Sequence, residues 1–553
     1  MSPEGLVEDG EAIGELTPDP TEPPVADAKS FVYTLRFPEQ EHKLAAASDI
    51  VDVATGRGVN VVEIDDENGV LRIRRGQKRA EEALPAGLMP GGPYRTDEQR
   101  AALRRLGRVV ANSGVSGPGP FRALRDMLLG RPPRIRGIAE GAALQHGSPE
   151  IADLKRLARG LDNSCLYIQG PPGSGKTWTG AQLIVDLVDQ GRRVGVAATS
   201  HKAVHNLLHE IEAAAVAQKV DLRGWKKCSV QNPESDFSSK LKRPLIDNES
   251  DLHAFPPPDD VRLVAGTAWL LAPEAMDDQL DYLVIDEAGQ VSLADAVAMG
   301  TSARNIILLG DPLQLAQVSQ GVHPDGAGDS VLEHLLGEHA TIPPELGIFL
   351  DRTRRMHPDV CRFVSEVVYE SRLHSIAECA RQRIDARGLL TGTGVRFIGA
   401  EHAGNTRESP EEAALIAAAI PDLLRGTVTL ADGSTRQLRA EDLMVVTPYN
   451  AQVRCLTDRL PDGVRVGTVD KFQGQEAHVV FFSMATSSGA EVPRNVEFLY
   501  SRNRLNVAVS RARCLAVLVC SPRLLDLEPR SIEQMRLVNA LCRLVELAES
   551  ADA

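Results

Sequence analysis

Residues 165–188 read CLYIQGPPGSGKTWTGAQLIVDLV, and the rest of the chain is read from this stretch. Cys165 to Gln169 is a short apolar run of strand type, and Trp178 to Val188 has the character of a helix. Between them Gly170, Pro171, Pro172, Gly173, Ser174, Gly175, Lys176 and Thr177 fit the pattern G-x-x-x-x-G-K-[ST]. Strand, glycine-rich loop and helix in that order make a phosphate-binding loop. The glycines let backbone N–H groups face phosphate oxygens, Lys176 reaches the β and γ oxygens, and Thr177 holds Mg²⁺. A plain glycine turn before a helix is the competing reading, and the flanking strand and helix weigh against it.

Downstream, apolar strand-like runs alternate with helical segments: RRVGVAATS, RLVAGT, YLVIDEAG and NIILLGD. That alternation predicts a doubly wound parallel α/β sheet. A polar segment at about 215–260 interrupts it and reads as a surface insertion. Near GEHATIPPELG the first sheet is expected to end, and a second series begins with GIFLD, VRFIGA, LMVVTPYN, VRVGTVD, HVVFFSMATS and CLAVLVCSP. Two α/β units in tandem offer a cleft that closes on a ligand. Upstream, SFVYTLRF, VNVVEID and GVLRIRR alternate in the manner of strands and predict a small β-barrel. The expected organisation is a disordered acidic tail at 1–28, a barrel at 29–80, a helical connector at 81–158, a first α/β domain at 159–342, and a second at 343–553 ending in a helix.

The run DYLVIDEAGQ, residues 281–290, ends a buried-looking strand in two carboxylates. In open α/β sheets ligands bind beyond the carboxyl ends of the strands. Asp286 therefore reaches the Mg²⁺ shell opposite Thr177, and Glu287 orients or deprotonates an attacking water. Gln290 points onward as a phosphate or coupling contact. Gln314, in LLGDPLQLAQV, reaches a γ-phosphate from the side, with a solvated glutamine as the bland alternative. Arg355 in RTRRMHP and Arg511 in LNVAVSRAR supply cations from the second unit; structural salt bridges are the alternative for each.

At 553 residues and 43% apolar content, the chain has room for several cores. No apolar run reaches membrane-spanning length, and the acidic, proline-rich start lacks the form of a signal peptide, so a cytoplasmic protein without membrane partners is expected. The eight cysteines include no C-x-x-C pair, which argues for reduced core thiols over zinc or iron–sulfur ligation. A net charge of −15 disfavours nucleic-acid binding by bulk charge but leaves room for a local basic groove. Arginine far outnumbers lysine, a composition expected of a GC-rich bacterial genome.

Taken in order, GPPGSGKT, TSHKAVHNLL, DEAGQ, GDPLQL, RRMHP, TPYNAQV, VGTVDKFQGQE and LNVAVSRAR resemble the motif series of superfamily 1 helicases over residues 160–522. DEAGQ and RMHP resemble the Upf1-like and Dna2-like branch. SIEQMRLVNALCRLVELA and FPEQEHKL resemble the helicase half of bacterial fusions with a RecB-like nuclease.

The resemblance implies two tandem RecA-like P-loop domains, with Lys176, Thr177, Asp286, Glu287, Gln314, Arg355 and Arg511 forming an ATPase site. Gly474 and Glu476 would lie near the γ-phosphate and ribose. Thr199, His201, Asn206, Thr267 and Trp269 from the first domain would line a strand groove with Pro448, Tyr449, Asn450, Thr468 and Lys471 from the second. Trp269 and Tyr449 are the expected base-stacking platforms. The barrel would project from the first domain and grip nucleic acid.

This chain departs from the pattern in having Arg354 where the branch often has tyrosine, so base stacking on ATP would come from a guanidinium. A glutamine for the base is not evident: Gln99 lies far upstream and Gln145 has no supporting pattern. Residues 1–150 show no nuclease constellation, so any RecB-like nuclease partner lies outside this chain. The implied function is an ATP- and Mg²⁺-dependent monomeric helicase or translocase moving 5′ to 3′ on single-stranded DNA, with DNA favoured over RNA, in DNA repair or processing. One rival is an ATP-gated clamp that remodels nucleoprotein without separating strands; another, a non-enzymatic scaffold with a decayed ATPase site, is disfavoured because Lys176, Asp286, Glu287, Gln314 and both arginines are present together.

Overall fold

The computed structural model describes residues 6–7 and 11–552, apart from 39, 41, 43, 45–48, 67, 93–94, 231, 316–325, 470, 473 and 493–495. Its centre is an eight-stranded sheet in the order Ile246–Glu249, Gly224–Lys227, Leu263–Gly266, Val194–Ala197, Leu280–Ile285, Ala303–Gly310, Cys165–Gln169 and Gly347–Phe349. Every pairing in it is parallel. Parallel sheets are covered on both faces, and here two clusters fill the faces: Leu283, Ile285, Ile306 and Leu308 on one side, Val284, Ile307, Leu309 and Ile184 on the other. A second parallel sheet, of five strands, runs Gly394–Gly399, Ala512–Cys520, Ala477–Ser483, Leu443–Thr447 and Arg465–Thr468. The helix Ile532–Asp552 lies against Gly394–Gly399, burying Leu537, Leu541 and Leu544.

Three expectations about organisation need correction. The segment at 215–260 is no mere surface insertion, because Gly224–Lys227 and Ile246–Glu249 extend the first sheet at its edge. The short polar run GWKK pairs because Gly224 sits tight between Leu263 and Ile246, where an added Cβ would come within 3.1 Å of both side chains. The first sheet does not end at 342: Gly347–Phe349 pairs with Tyr167–Gln169, and Gln145 clamps it by accepting from Phe349 N at 2.9 Å and donating to Phe349 O at 3.0 Å. The connector boundary at 158 cuts the helix Ile151–Gly160, whose Leu154, Leu157 and Ala158 belong to the first domain's core.

The acidic start also differs from expectation. Among the described residues, Thr17–Pro18 and Val25–Asp27 both pair with Ser30–Arg36, and Ile13 exchanges 2.8 Å backbone hydrogen bonds with Leu88. Ile13 and Leu16 are held because they complete a small core with Leu35, Ile50, Leu71, Ile73 and Leu88; each such side chain contributes about 1.5–3 kcal/mol by leaving water. Residues 1–5 and 8–10 of the expected tail lie outside the described residues. Among the described residues the five-stranded sheet, bounded by Thr17–Pro18 and Asn60–Asp65, is joined to the pair Ile50–Asp52 and Leu88–Pro90 by single bridges, Ile13 to Leu88 on one side and Val51 to Gly58 on the other. This unit touches the second domain, where Arg454 Nη1 donates to Asp66 O at 2.8 Å. The next helix, Asp97–Ser113, packs instead on Leu293–Gly300 of the first domain, and Arg105 pairs with Asp277 at 2.8 Å.

Candidate functional site

The phosphate-loop residues and the arginines of the second unit meet around one cleft of about 510 Å³. Its floor is the loop Gly170–Thr177, running from Cys165–Gln169 into the helix Lys176–Asp189. Gly173 and Gly175 have φ of 73° and 79°, a left-handed backbone that side chains resist. Gly173 must also be small, since a Cβ there would lie 2.6 Å from both Arg355 Cβ and Thr353 Oγ1. Arg354 N donates to Gly173 O at 2.9 Å, so the second unit already rests on the loop. The first amides of the helix have no intrahelical acceptors and make an anion site.

Lys176 is buried, and its Nζ lies 3.0 Å from Glu287 Oε2. Burial alone would lower the ammonium pKa, but Glu287, Asp286 and Asp311 outweigh it and raise it. Asp286 follows the strand Leu280–Ile285 and is 3% exposed. Burial, then the neighbouring Glu287, pushes its carboxyl well above the usual carboxylate range; a divalent cation would reverse that preference. Glu287 sits at φ 50°, ψ 37°, a strained conformation for a non-glycine residue that turns its carboxylate back toward Lys176. Asp286 and Gln290 do not line the cleft.

The opposite wall is cationic. Arg355 Nε contacts Glu476 Oε2 at 2.6 Å and its Nη1 donates to Ser510 O at 3.1 Å. Glu476 also pairs with Arg513; burial opposes its ionisation, but Arg355 and Arg513 hold its pKa below the usual value. Arg511 is 2% exposed and donates from Nη1 to Gln475 O at 3.3 Å. Its Nε and Nη2, like Ser174 Oγ, have no hydrogen-bond partner among the described residues. Burial, and then Arg355, lowers the Arg511 pKa to about 9. A guanidinium held that way awaits an anion. Gln314 lines the cleft and donates to Asp311 Oδ2 at 3.0 Å, and Gly474 lines it too.

Four lining residues have no motif to announce them: Trp178, His209, Glu210 and Lys240. Lys240 arrives from the segment misread as a surface insertion. Arg354 and Trp178 also border a second cavity of about 390 Å³ beside Ser148 and Glu150, and Trp178 is 47% exposed.

The expected groove residues divide. Thr199, Thr267, Pro448 and Thr468 follow or end parallel strands at their carboxyl ends. Asn206 lines the phosphate-loop cleft beside His209 instead, because the helix His201–Gln218 turns that face toward the loop. His201 Nδ1 lies 3.2 Å from Lys226 Nζ, and burial, then Lys226, lowers its pKa to about 4. Trp269 is 45% exposed with its indole N–H donated to Arg95 O at 3.0 Å. Tyr449 is no stacking platform: it is 1% exposed and packs against Phe498 at 5.8 Å between ring centroids. Asn450 is half-buried, and Lys471 is exposed with its N–H donated to Thr468 O at 3.1 Å.

Two family models, each described as an AAA domain, match consecutive stretches at 155–326 and 327–523. The chain is 26% identical over 393 residues to the Arabidopsis thaliana DNA replication ATP-dependent helicase/nuclease JHS1, covering 66% of this chain and 27% of the relative. It is 24% identical over 514 residues to the Gallus gallus DNA replication ATP-dependent helicase/nuclease DNA2, covering 84% and 48%. To the Rattus norvegicus DNA-binding protein SMUBP-2 it is 27% identical over 425 residues, covering 64% and 41%. The chain thus spans less than half the length of these curated relatives. A solved arterivirus nonstructural protein 10 (helicase) overlaps it with a TM-score of 0.40 at 14% identity, over 92% of this chain and 76% of that one. Among the described residues no helix is long and apolar enough to cross a membrane.

Proposed function

This chain is a member of the superfamily 1 helicases, in their Upf1-like and Dna2-like branch, and from that membership we propose that it is an ATP hydrolase that translocates on a nucleic-acid strand and separates duplex ahead of it. The observation that carries the reading is the Lys176–Glu287 pair on the phosphate loop, faced by Arg355 and Arg511 across one cleft. The loop amides and Lys176 bind the β and γ phosphates. Arg355 and Arg511 neutralise charge from the other unit, where arginine fingers are worth about 10³ to 10⁵ in rate. Glu287, once phosphate draws Lys176 away, orients the attacking water and accepts its proton.

The unpartnered donors Arg511 Nε and Nη2 and Ser174 Oγ suit a polyphosphate, which would satisfy them. The hydroxyl of Thr177 and the carboxylate of Asp286 are the hard oxygen donors Mg²⁺ takes, and these two residues would hold it. When bound, the ion supplies positive charge to the phosphate oxygens.

We assign single-stranded DNA as the track, on the relatives named as DNA helicases, and 5′ to 3′ movement on the resemblance of the motif series. A RecB-like nuclease partner is proposed on the two relatives named as helicase/nuclease. ATP alternately closes and reopens the cleft, shifting the strand between the two units. ATP turnover measured with single-stranded DNA and with RNA of matched sequence tests this: stimulation by DNA supports it, and turnover indifferent to both sinks it.

A further inference from the structure

The two α/β units also meet at a buried polar chain centred on Tyr369, which lies in none of the motifs. Asp311 follows the strand Ala303–Gly310, and its Oδ2 accepts from the Tyr369 hydroxyl at 2.6 Å and from Gln314 Nε2 at 3.0 Å. The Tyr369 oxygen accepts in turn from Asn506 Nδ2 at 2.9 Å, and the same amide donates to Leu313 O at 2.7 Å. Asp311 is 3% exposed, and Tyr369 and Asn506 are fully buried. Tyr369 ends the helix Pro358–Val368. Asn506 lies in the helix Arg502–Ser510, capped by Ser501 and followed directly by Arg511.

Gln314 and Arg511 both line the nucleotide cleft, one from each unit, and this chain of hydrogen bonds is a route between them. Its geometry is selective. One carboxylate oxygen serves two donors, so Gln314 cannot turn its amide to a phosphate without leaving Tyr369 as the remaining side-chain donor to that oxygen. Asn506 Oδ1 is buried without a partner among the described residues, an acceptor available to a rearranged state. The Tyr369 ring packs against Phe349 at 6.0 Å between centroids, so the ring has a packing role separable from that of the hydroxyl.

We propose that Tyr369 is a positioning residue: through Asp311 and Asn506 it holds Gln314 and the helix bearing Arg511 in register, so that both reach the cleft together. The proposal rests on the reading of that cleft as an ATP-hydrolysis site. Tyr369→Phe keeps the ring and removes the donor. With oligothymidylate as the single strand, kcat for ATP should fall about 10- to 100-fold while KM stays within about twofold. Asp311→Asn combined with Tyr369→Phe should be no worse than the worse single variant. Unchanged kcat, a raised KM with kcat intact, or losses that multiply in the double variant would each overturn the proposal.

Hydrogen exchange supplies a readout independent of turnover. In Tyr369→Phe, and in Asn506→Ala should the first variant fold poorly, residues 311–315 and 502–510 should loosen together. Loosening of only one segment, or of neither, overturns the proposal. A wild-type chain that turns over no ATP overturns the functional reading instead, and the exchange result still decides the register.

Discussion

Lys176 and Glu287 lie 3.0 Å apart across the cleft floor, one opening the phosphate-loop helix and the other just past the strand Leu280–Ile285. The contact uses one of the three ammonium donors of Lys176 and one carboxylate oxygen of Glu287, leaving donors for phosphate and an oxygen for water. Lys176→Ala should therefore weaken nucleotide binding and abolish turnover. Glu287→Gln should keep binding while lowering kcat about 10² to 10⁴-fold, the usual worth of a general base. Nucleotide affinity by fluorescence and turnover by phosphate release check both, and undiminished turnover in Glu287→Gln removes the base assignment.

The two aromatic residues expected in the groove should behave in opposite ways. Trp269 is exposed, so Trp269→Ala should cost about 1–3 kcal/mol in single-strand binding and little in stability. Tyr449 is buried on Phe498, so Tyr449→Ala should cost about 3–5 kcal/mol in stability. Fluorescence anisotropy with oligothymidylate and thermal melts separate the two. A Tyr449→Ala variant that melts like wild type while losing strand affinity would reinstate its stacking role.

Binding should be salt-dependent despite the net charge of −15. The logarithm of the single-strand affinity should fall against log salt with a slope near −0.7 per phosphate neutralised. A slope of about zero would mean that no basic groove is engaged.

Acid should destabilise the chain in a defined window. Burial lowers the pKa of His201 and His478 from the ordinary 6.5 to about 4 each. The unfolded state then binds protons first, so their contribution is intact above pH 6.5 and is lost as pH falls toward 4. For His478, which is nearly buried, the loss is at most about 3 kcal/mol. The fall in thermal midpoint between pH 6.5 and 4 should flatten in His478→Gln; an identical fall would show that other groups govern the acid limb.

A duplex with a 5′ single-stranded tail should be unwound with ATP and Mg²⁺, and a blunt or 3′-tailed one should not. Removing the N-terminal sheet should cost unwinding more than basal turnover, since every residue lining the cleft lies beyond 169. Efficient opening of 3′-tailed duplex alone would refute the polarity while leaving the hydrolytic site untouched.

The parts legible in sequence were local ones. The phosphate loop and the DEAGQ strand end announce themselves because strand, glycine turn and charged terminus are contiguous. What escaped depended on distant partners. GWKK is too short and polar to read as a strand, yet it pairs with Leu263–Ala265 and Ile246–Glu249. Ile13 belongs to a core only because Leu88 lies opposite. Tyr449 looked like a platform because Phe498, which covers it, is far along the chain. Tyr369 carries no pattern at all, its significance lying wholly in Asp311 and Asn506. Alternation in SFVYTLRF predicted a strand correctly, because its inward and outward residues are neighbours in the chain.

The small N-terminal sheet is fastened to one α/β unit and the helix that follows it to the other: Asp66 O accepts from Arg454, while Arg105 is bridged to Asp277. Six residues connect the strand Leu88–Pro90 to the helix beginning at Asp97, and one of them, Arg95, already accepts from the Trp269 indole of the first unit at 3.0 Å. The N-terminal region therefore bridges the two units like a strap. If the cleft opens as proposed, either the Arg454 contact gives way or the sheet follows the second unit.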